Sequence, residues 1–235
     1  MICHWLIWYN LSLMAKKILL EDVVNNPFAD AYLRTADSNF AAIGYKEHGL
    51  RHAQLTANIA GNVLKYLGYS EREAELARIA GYLHDVGNAI AHTDHGQNGA
   101  VLTLDILEGL GMPYGEIFPI IGAIGSHEDK SADTPSSVAA AVILADKSDV
   151  NRSRVRSADL AALDTHGRVN YSCQRAFLRV SKETMTVSLE LTIDTKTCPV
   201  MEYFEIFLAR TKFCRKASRA LNCEFELYIN KDKFI

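Results

Sequence analysis

The sequence predicts a mainly α fold: a helical bundle followed by a small α+β C-terminal unit of order strand–strand–helix–strand. Three observations carry that expectation. From about residue 20 to 164, Ala, Leu, Ile and Glu recur at helical spacing. Beyond about residue 165 the texture changes, and Met185, Val187, Leu189, Leu191 and Ile193 alternate with Thr, Ser and Glu, the period of a half-buried strand. The composition, 49% hydrophobic and 23% charged over 235 residues, is that of an ordinary globular chain able to bury a sizeable core, which excludes a disordered or fibrous protein. Three segments follow: 1–13 as an N-terminal extension, 14–165 as the helical domain, and 166–235 as the C-terminal subdomain.

Met1 to Leu13 is apolar, with Trp5 and Trp8, but lacks the basic start of a secretory signal. It is shorter than the roughly 20 residues that span a bilayer, and Met14-Ala15-Lys16-Lys17 resembles an ordinary protein start. No membrane association is expected. In the helical part the clearest segments are 48–67, 71–86, 94–110, 113–126 and 135–148. Gly68 stands just past the first, as a C-cap does. Ser70 followed by Glu73 makes a capping box for the second. Asp94 can N-cap the third, and Pro113 opens the fourth, where its missing N–H is harmless. In the C-terminal unit, a strand from about Arg175 turns at Ser181-Lys182-Glu183-Thr184 into the alternating strand. Val200 to Leu221 reads as a long helix, and Glu224 to Ile229 as the last strand; one helix across a small sheet is the expected packing.

Net charge is −3, from 25 basic and 28 acidic residues. That balance gives no electrostatic basis for nucleic-acid binding, although a chain average can conceal a local patch. The helix 200–221 holds one, with Arg210, Lys212, Arg215, Lys216 and Arg219: either a solvated basic face or a surface for an anionic ligand or a homodimer partner. The five cysteines (Cys3, Cys173, Cys198, Cys214, Cys223) are odd in number and show no Cys-x-x-Cys spacing. A reducing cytoplasm is the natural compartment.

Six of the eight histidines fall between 48 and 127. His48 and His52 share one helical face. Ile79 to Leu83 is an apolar helix ending in His84-Asp85, and burying that pair is costly without a partner, which a divalent cation supplies. His92 and His95 open the next helix. His127-Glu128 follows another apolar run, and Asp146-Lys147-Ser148-Asp149 ends a fifth segment. If these helices pack as a bundle, their imidazoles and carboxylates can converge at one depth, a donor set that suits Mn, Fe, Mg, Zn, Co or Ni.

This order, with Gly81-Tyr82-Leu83-His84-Asp85-Val86-Gly87 and Leu144-Ala145-Asp146-Lys147-Ser148-Asp149 as its strongest pieces, resembles the HD-domain superfamily of metal-dependent phosphohydrolases over roughly residues 45–150. The resemblance implies an HD-type helical bundle and four ligands at His52, His84, Asp85 and Asp146, with His48 one turn away as the competitor of His52. Relatives with a second metal site imply His95 and His127 as further ligands, with Asp85 as the bridge and His92 as the competitor of His95. The Gly-Tyr-Pro segment of the family's cyclic-di-GMP phosphodiesterases is absent after Glu128.

One or two divalent ions then imply hydrolysis of a phosphate ester of a nucleotide or another small phosphorylated metabolite, by water whose pKa the metal lowers toward about 7. Lys147 is the first candidate to meet developing charge, or else forms a salt bridge to Asp146 or Asp149. His48, Arg51, Lys130 and Arg152 are candidates for substrate phosphate. His92 or Glu128 can supply the leaving-group proton. A di-iron oxygenase on the same fold, or a non-catalytic sensing module, is the alternative.

Overall fold

The computed structural model describes residues 17–42, 47–129, 134–156 and 164–235. The proposed extension 1–13 and Lys130 lie outside the described residues. The helical part consists of α1 (Leu20–Val24), α2 (Pro27–Ala42), α3 (Leu50–Leu67), α4 (Glu71–Leu83), α5 (His95–Gly109), α6 (Tyr114–Ser126) and α7 (Ser137–Ser148). Short 3-10 turns cover Val86–Ala89 and Arg152–Arg154. The C-terminal unit contains α8 (Thr165–Ser172), β1 (Cys173–Ser181), β2 (Thr186–Ile193), α9 (Val200–Ala220), β3 (Glu224–Ile229) and β4 (Asp232–Lys233). The mainly α class with a small α+β unit is therefore what the chain adopts.

Two helical hairpins organise the bundle. In the first, α3 runs into Gly68, which takes the left-handed conformation (φ 87°) that glycine adopts without strain. Ser70 Oγ accepts the Glu73 N–H, and the Glu73 carboxylate accepts the Ser70 N–H, closing the expected capping box of α4. The returning helix comes unusually close. A Cβ at Gly81 would lie 2.9 Å from the Thr56 carbonyl oxygen and 3.0 Å from the Ala57 backbone. The second hairpin pairs α5 with α6. The fifth segment, α7, is apolar all round and buried from Val138 to Ser148, the signature of a central helix. It packs on α3, α4, α6 and α9.

Three helices were not among the expected segments: the five-residue α1, α2 and α8. α2 buries Ala29, Leu33, Ala36 and Phe40 at helical spacing, but two of the four are alanines, whose small side chains leave a faint apolar stripe. α8 is capped by Asp164, whose carboxylate accepts the Gly167 N–H at 2.7 Å. Asp94 is a correction: it stands before α5 with φ 57° and makes no capping hydrogen bond. The predicted ends of α3 to α7 and α9 each exceed the observed helices by one to three residues, because capping residues are not helical.

The sheet has the order β1-β2-β3-β4. β1 and β2 are antiparallel through the expected turn after Ser181. β2 and β3 are parallel, as a crossover through α9 requires. The two-residue β4, absent from the expectation, adds an antiparallel edge. Val187, Leu189, Leu191 and Ile193 are buried, as is Ser188 between them, whereas Met185, expected in the same stripe, is exposed and precedes the strand with φ 50°; α9 lies against β2, β3 and α7. Burial pushes the thiols of Cys173 and Cys214 up to about 12, so both are packing groups rather than nucleophiles or metal ligands.

Candidate metal centre

Each hairpin places one histidine at the start of its first helix and another just past the end of its second. His52 stands in the first turn of α3 and His84 caps α4; His95 opens α5 and His127 caps α6. Antiparallel packing then brings each pair together, with ring centroids 5.1 Å apart for His52 and His84 and 4.9 Å for His95 and His127. Asp85 follows His84 into this convergence, and Asp146 comes from the last turn of α7. All six residues are buried.

The tautomers follow from the hydrogen bonds. A helix end leaves its last carbonyls without partners, and the C-cap histidines use them. His84 Nδ1 donates to the Gly81 carbonyl at 2.8 Å, and His127 Nδ1 to the Ile124 carbonyl at 2.6 Å. His95 Nδ1 donates to the His92 carbonyl at 2.9 Å, and His52 Nδ1 to the Asp149 carboxylate at 2.7 Å. Every Nε2 therefore faces inward. There His52 Nε2, His84 Nε2 and Asp85 Oδ2 are buried without a hydrogen-bond partner, and His95 Nε2 faces His127 Nε2 at 3.1 Å. Two lone pairs at that distance repel unless a cation or proton lies between them.

A divalent ion fits this arrangement. Donors about 2.1 Å from one ion stand about 3.0 Å apart in an octahedral set and about 3.4 Å apart in a tetrahedral one. Asp85 Oδ2 is 3.3 Å from His84 Nε2 and 3.6 Å from His52 Nε2, and Asp146 Oδ1 is 3.4 Å from His52 Nε2. Asp85 Oδ1 lies 3.6 Å from His95 Nε2. Three groups qualify among the described residues: His52 with His84 and Asp85, His84 with His127 and Asp146, and Asp85 with His95 and His127. One carboxylate thus turns an oxygen toward each histidine pair.

The electrostatics are divided. Burial opposes a charged His84, but the Asp85 and Asp146 carboxylates outweigh it and raise its pKa to about 9. Burial pushes His127 down to about 4, helped by His84, Lys147 and His95. Burial also works against the Asp85 and Asp146 carboxylates, yet His84 and Lys147 respectively hold them well below the usual range.

Surrounding residues fix the ligands, and here the sequence reading was incomplete. Asp149, considered only as a partner for Lys147, instead orients His52 and accepts Arg51 Nη2 at 2.9 Å. Arg154 is fully buried beneath it, donating to the Asp149 carbonyl at 3.2 Å and twice to the Glu47 carbonyl. Asn88 Nδ2 donates to Asp85 Oδ1 at 2.9 Å. Asn88 stands three residues after Asp85, and that 3-10 spacing was the one local signal available. Arg210 of α9 holds a buried Nη1 without a partner and helps to lower Asp146.

Lys147 is 2% exposed and pairs with Asp146 Oδ2 at 2.6 Å and with Glu128. Of the two expectations for it, the structure shows the salt bridge, to Asp146 and not Asp149. Glu128, held by that ammonium below its ordinary pKa despite burial, is a poor proton donor. His92 is exposed at the rim, stacked on His95 at 5.6 Å, with its Nδ1 3.3 Å from Asn88 Oδ1. His48 rests on the Phe40 ring at 4.3 Å and belongs to none of the three ligand groups. Arg51 is engaged by Glu47 and Asp149. Arg152 does not join the site: it is exposed, over the Tyr171 ring at 5.3 Å.

Two variants probe this packing. Asp149→Asn keeps the shape but weakens the acceptor of His52 Nδ1–H, and removing such a partner lowers metal affinity about 10- to 100-fold. Competition with a metallochromic chelator reads this directly; an unchanged Kd refutes the orienting role. At Gly87, a methyl group would collide with the His95 carbonyl and stand 2.5 Å from the Gly99 amide nitrogen. Gly87→Ala is expected to push α5 away from Asp85 and to reduce bound metal, measured per chain by elemental analysis.

A family model described as HD domain matches residues 45–151. Among curated proteins, the chain is 30% identical over 115 residues to an uncharacterized protein of Methanocaldococcus jannaschii, covering 42% of this chain and 44% of that protein. It is 34% identical over 116 residues to Ribonuclease Y of Oceanobacillus iheyensis, covering 49% of this chain and 21% of that protein. Against Ribonuclease Y of Aquifex aeolicus it is 38% identical over 86 residues, covering 37% and 14%. The chain thus spans less than half the length of these relatives. No helix among the described residues is long and apolar enough to cross a membrane. The matched segment contains every residue of the histidine–aspartate cluster, and over residues 45–151 the chain carries an HD domain, the module of the HD superfamily of metal-dependent phosphohydrolases.

Proposed function

We propose that the chain hydrolyses a phosphate ester, of a nucleotide or another small phosphorylated metabolite, at a two-ion centre. The observation that carries this reading is Asp85, whose Oδ2 faces His52 and His84 while Oδ1 faces His95. His52, His84, Asp85 and Asp146 would hold one ion, and Asp85, His95 and His127 a second. When bound, such ions lower the pKa of water toward about 7 and polarise phosphoryl oxygens.

The chain's residues supply the rest. Asp149 and the helix-end carbonyls keep every imidazole in the tautomer that presents Nε2. Asn88 holds Asp85 so that both of its oxygens stay directed inward. Lys147 occupies Asp146 Oδ2 and leaves Oδ1 facing the histidines. His92, at the exposed rim, is the group placed to give a proton to a leaving alkoxide. A second reading has its own support: the similarity to proteins named Ribonuclease Y favours the phosphodiester of RNA as the bond cleaved.

The deciding experiment measures product release from nucleotides, simple monoesters and diesters, and RNA, with Mg, Mn, Fe(II), Co or Zn supplied in turn. Metal-dependent cleavage of at least one class is expected. Silence across all classes in a metal-loaded protein would refute the proposal.

A further inference from the structure

We propose that Arg210, from the C-terminal unit, binds a non-bridging oxygen of the substrate's phosphoryl group at the metal centre. This rests on the phosphate-ester reading above and goes beyond it, since Arg210 lies outside the segment that the HD model matches. Arg210, Phe213 and Cys214 stand at i, i+3 and i+4 of α9 and therefore share one face. That face packs on α7. Phe213 lies 5.5 Å beneath the Lys147 ammonium, and Lys147 is bonded to the ligand Asp146. One turn back, the guanidinium of Arg210 lies over the Phe207 ring at 5.1 Å. Packing, rather than a carboxylate, thus sets the place of this side chain.

No carboxylate among the described residues pairs with that guanidinium, and its Nη1 is buried without a hydrogen-bond partner. The carboxylates of the centre are already engaged. Asp146 Oδ2 and Glu128 accept Lys147, Asp149 accepts His52 and Arg51, and Asp85 Oδ1 accepts Asn88. The charge of Arg210 nevertheless reaches the centre. Against burial, Lys147 holds Asp146 well below the usual range, and Arg210 adds to that effect. A buried donor without a partner is costly, and each such group in a native fold calls for an explanation. An anion brought to the centre offsets the cost. The metal ions would engage some oxygens of a phosphoryl group, and the planar fork of an arginine suits those that remain. Lys147 is already paired, so Arg210 is the cation available to meet charge that develops on the phosphoryl oxygens.

The test titrates inorganic phosphate into the metal-loaded full chain by calorimetry, after free metal has been removed. Arg210→Gln and Arg210→Lys are compared with the wild type. Arg215→Gln, which removes an exposed cation of the same helix, is the control. Loss of the charged donor in Arg210→Gln is expected to weaken phosphate binding roughly ten- to hundredfold. Arg210→Lys, which keeps the charge but not the fork, should fall between. Bound metal per chain, by elemental analysis, should stay at the wild-type level in every variant, because Arg210 ligates neither ion. Hydrolysis of p-nitrophenyl phosphate and bis(p-nitrophenyl) phosphate names the source of the phosphoryl group. The ester whose kcat/KM falls more in Arg210→Gln is the class that Arg210 serves.

Equal phosphate affinity in the wild type and Arg210→Gln, or no binding by the wild type, overturns the proposal. So does an equal loss in Arg215→Gln, which would show a general effect of charge. Loss of bound metal in both Arg210 variants also overturns it, because the arginine would then support the ligands instead. An active enzyme whose kcat/KM is unchanged for both esters in Arg210→Gln has the same consequence. Absence of hydrolysis by every form would count against the catalytic reading alone, and the phosphate comparison would still decide.

Discussion

Asp85→Ala should remove both ions at once and lower phosphate-ester cleavage by about three orders of magnitude. The carboxylate turns Oδ2 toward His52 and His84 and Oδ1 toward His95. Metal ions contribute several kcal/mol of charge stabilisation in such reactions; losing ~4 kcal/mol at 1.36 kcal/mol per decade gives that factor. His127→Ala is the informative contrast. It removes a ligand from the groups that contain His127 and leaves His52, His84 and Asp85 intact, so one ion should remain. Elemental analysis of the purified variants, paired with rates on the best substrate, reads both outcomes. Two ions retained in Asp85→Ala, or an unchanged rate, would show that the bridge is misassigned.

Arg154→Met should be the most destabilising single change near the site. The guanidinium is wholly buried, donates to two backbone carbonyls on segments far apart in sequence, and faces Asp149 at 3.6 Å. Removing one partner of a buried charge pair typically costs about 3–5 kcal/mol, because the other charge stays buried and uncompensated. For a chain of this size, 1 kcal/mol shifts Tm by about 2–4 °C, so thermal unfolding should come roughly 10 °C earlier. Arg156→Ala is the control. Arg156 is an exposed partner of Asp37, and exposed pairs contribute about 0–1 kcal/mol. A similar loss in both variants would mean that burial is not what makes Arg154 matter.

Much of the cluster was legible before any coordinates. His52, His84, Asp85, His95, His127 and Asp146 all stand at or near helix ends. Those ends are marked by local signals: Gly68 for the turn of the first hairpin, Ser70 and Glu73 for the start of α4, and the apolar run before His84. The resemblance to the HD pattern selected His52 over His48 and His95 over His92, and the groups that converge contain the selected residues. The supporting residues were not legible. His52 and Asp149 are separated by 97 positions, and Arg154 and Glu47 by 107. No periodicity or cap relates residues so far apart.

Lys147 shows the same division within one residue. Its place beside Asp146 was evident from the chain, but whether it meets substrate or a carboxylate depends on Glu128, 19 positions earlier in the turn that follows α6. The sequence by itself determined which chemistry is present and at which helix ends it stands, because caps, turns and apolar periods are local properties. Only the tertiary structure decided which nitrogen of each histidine faces inward and which charges are spent on one another. Those outcomes depend on burial and on distances between segments that meet only when the helices pack.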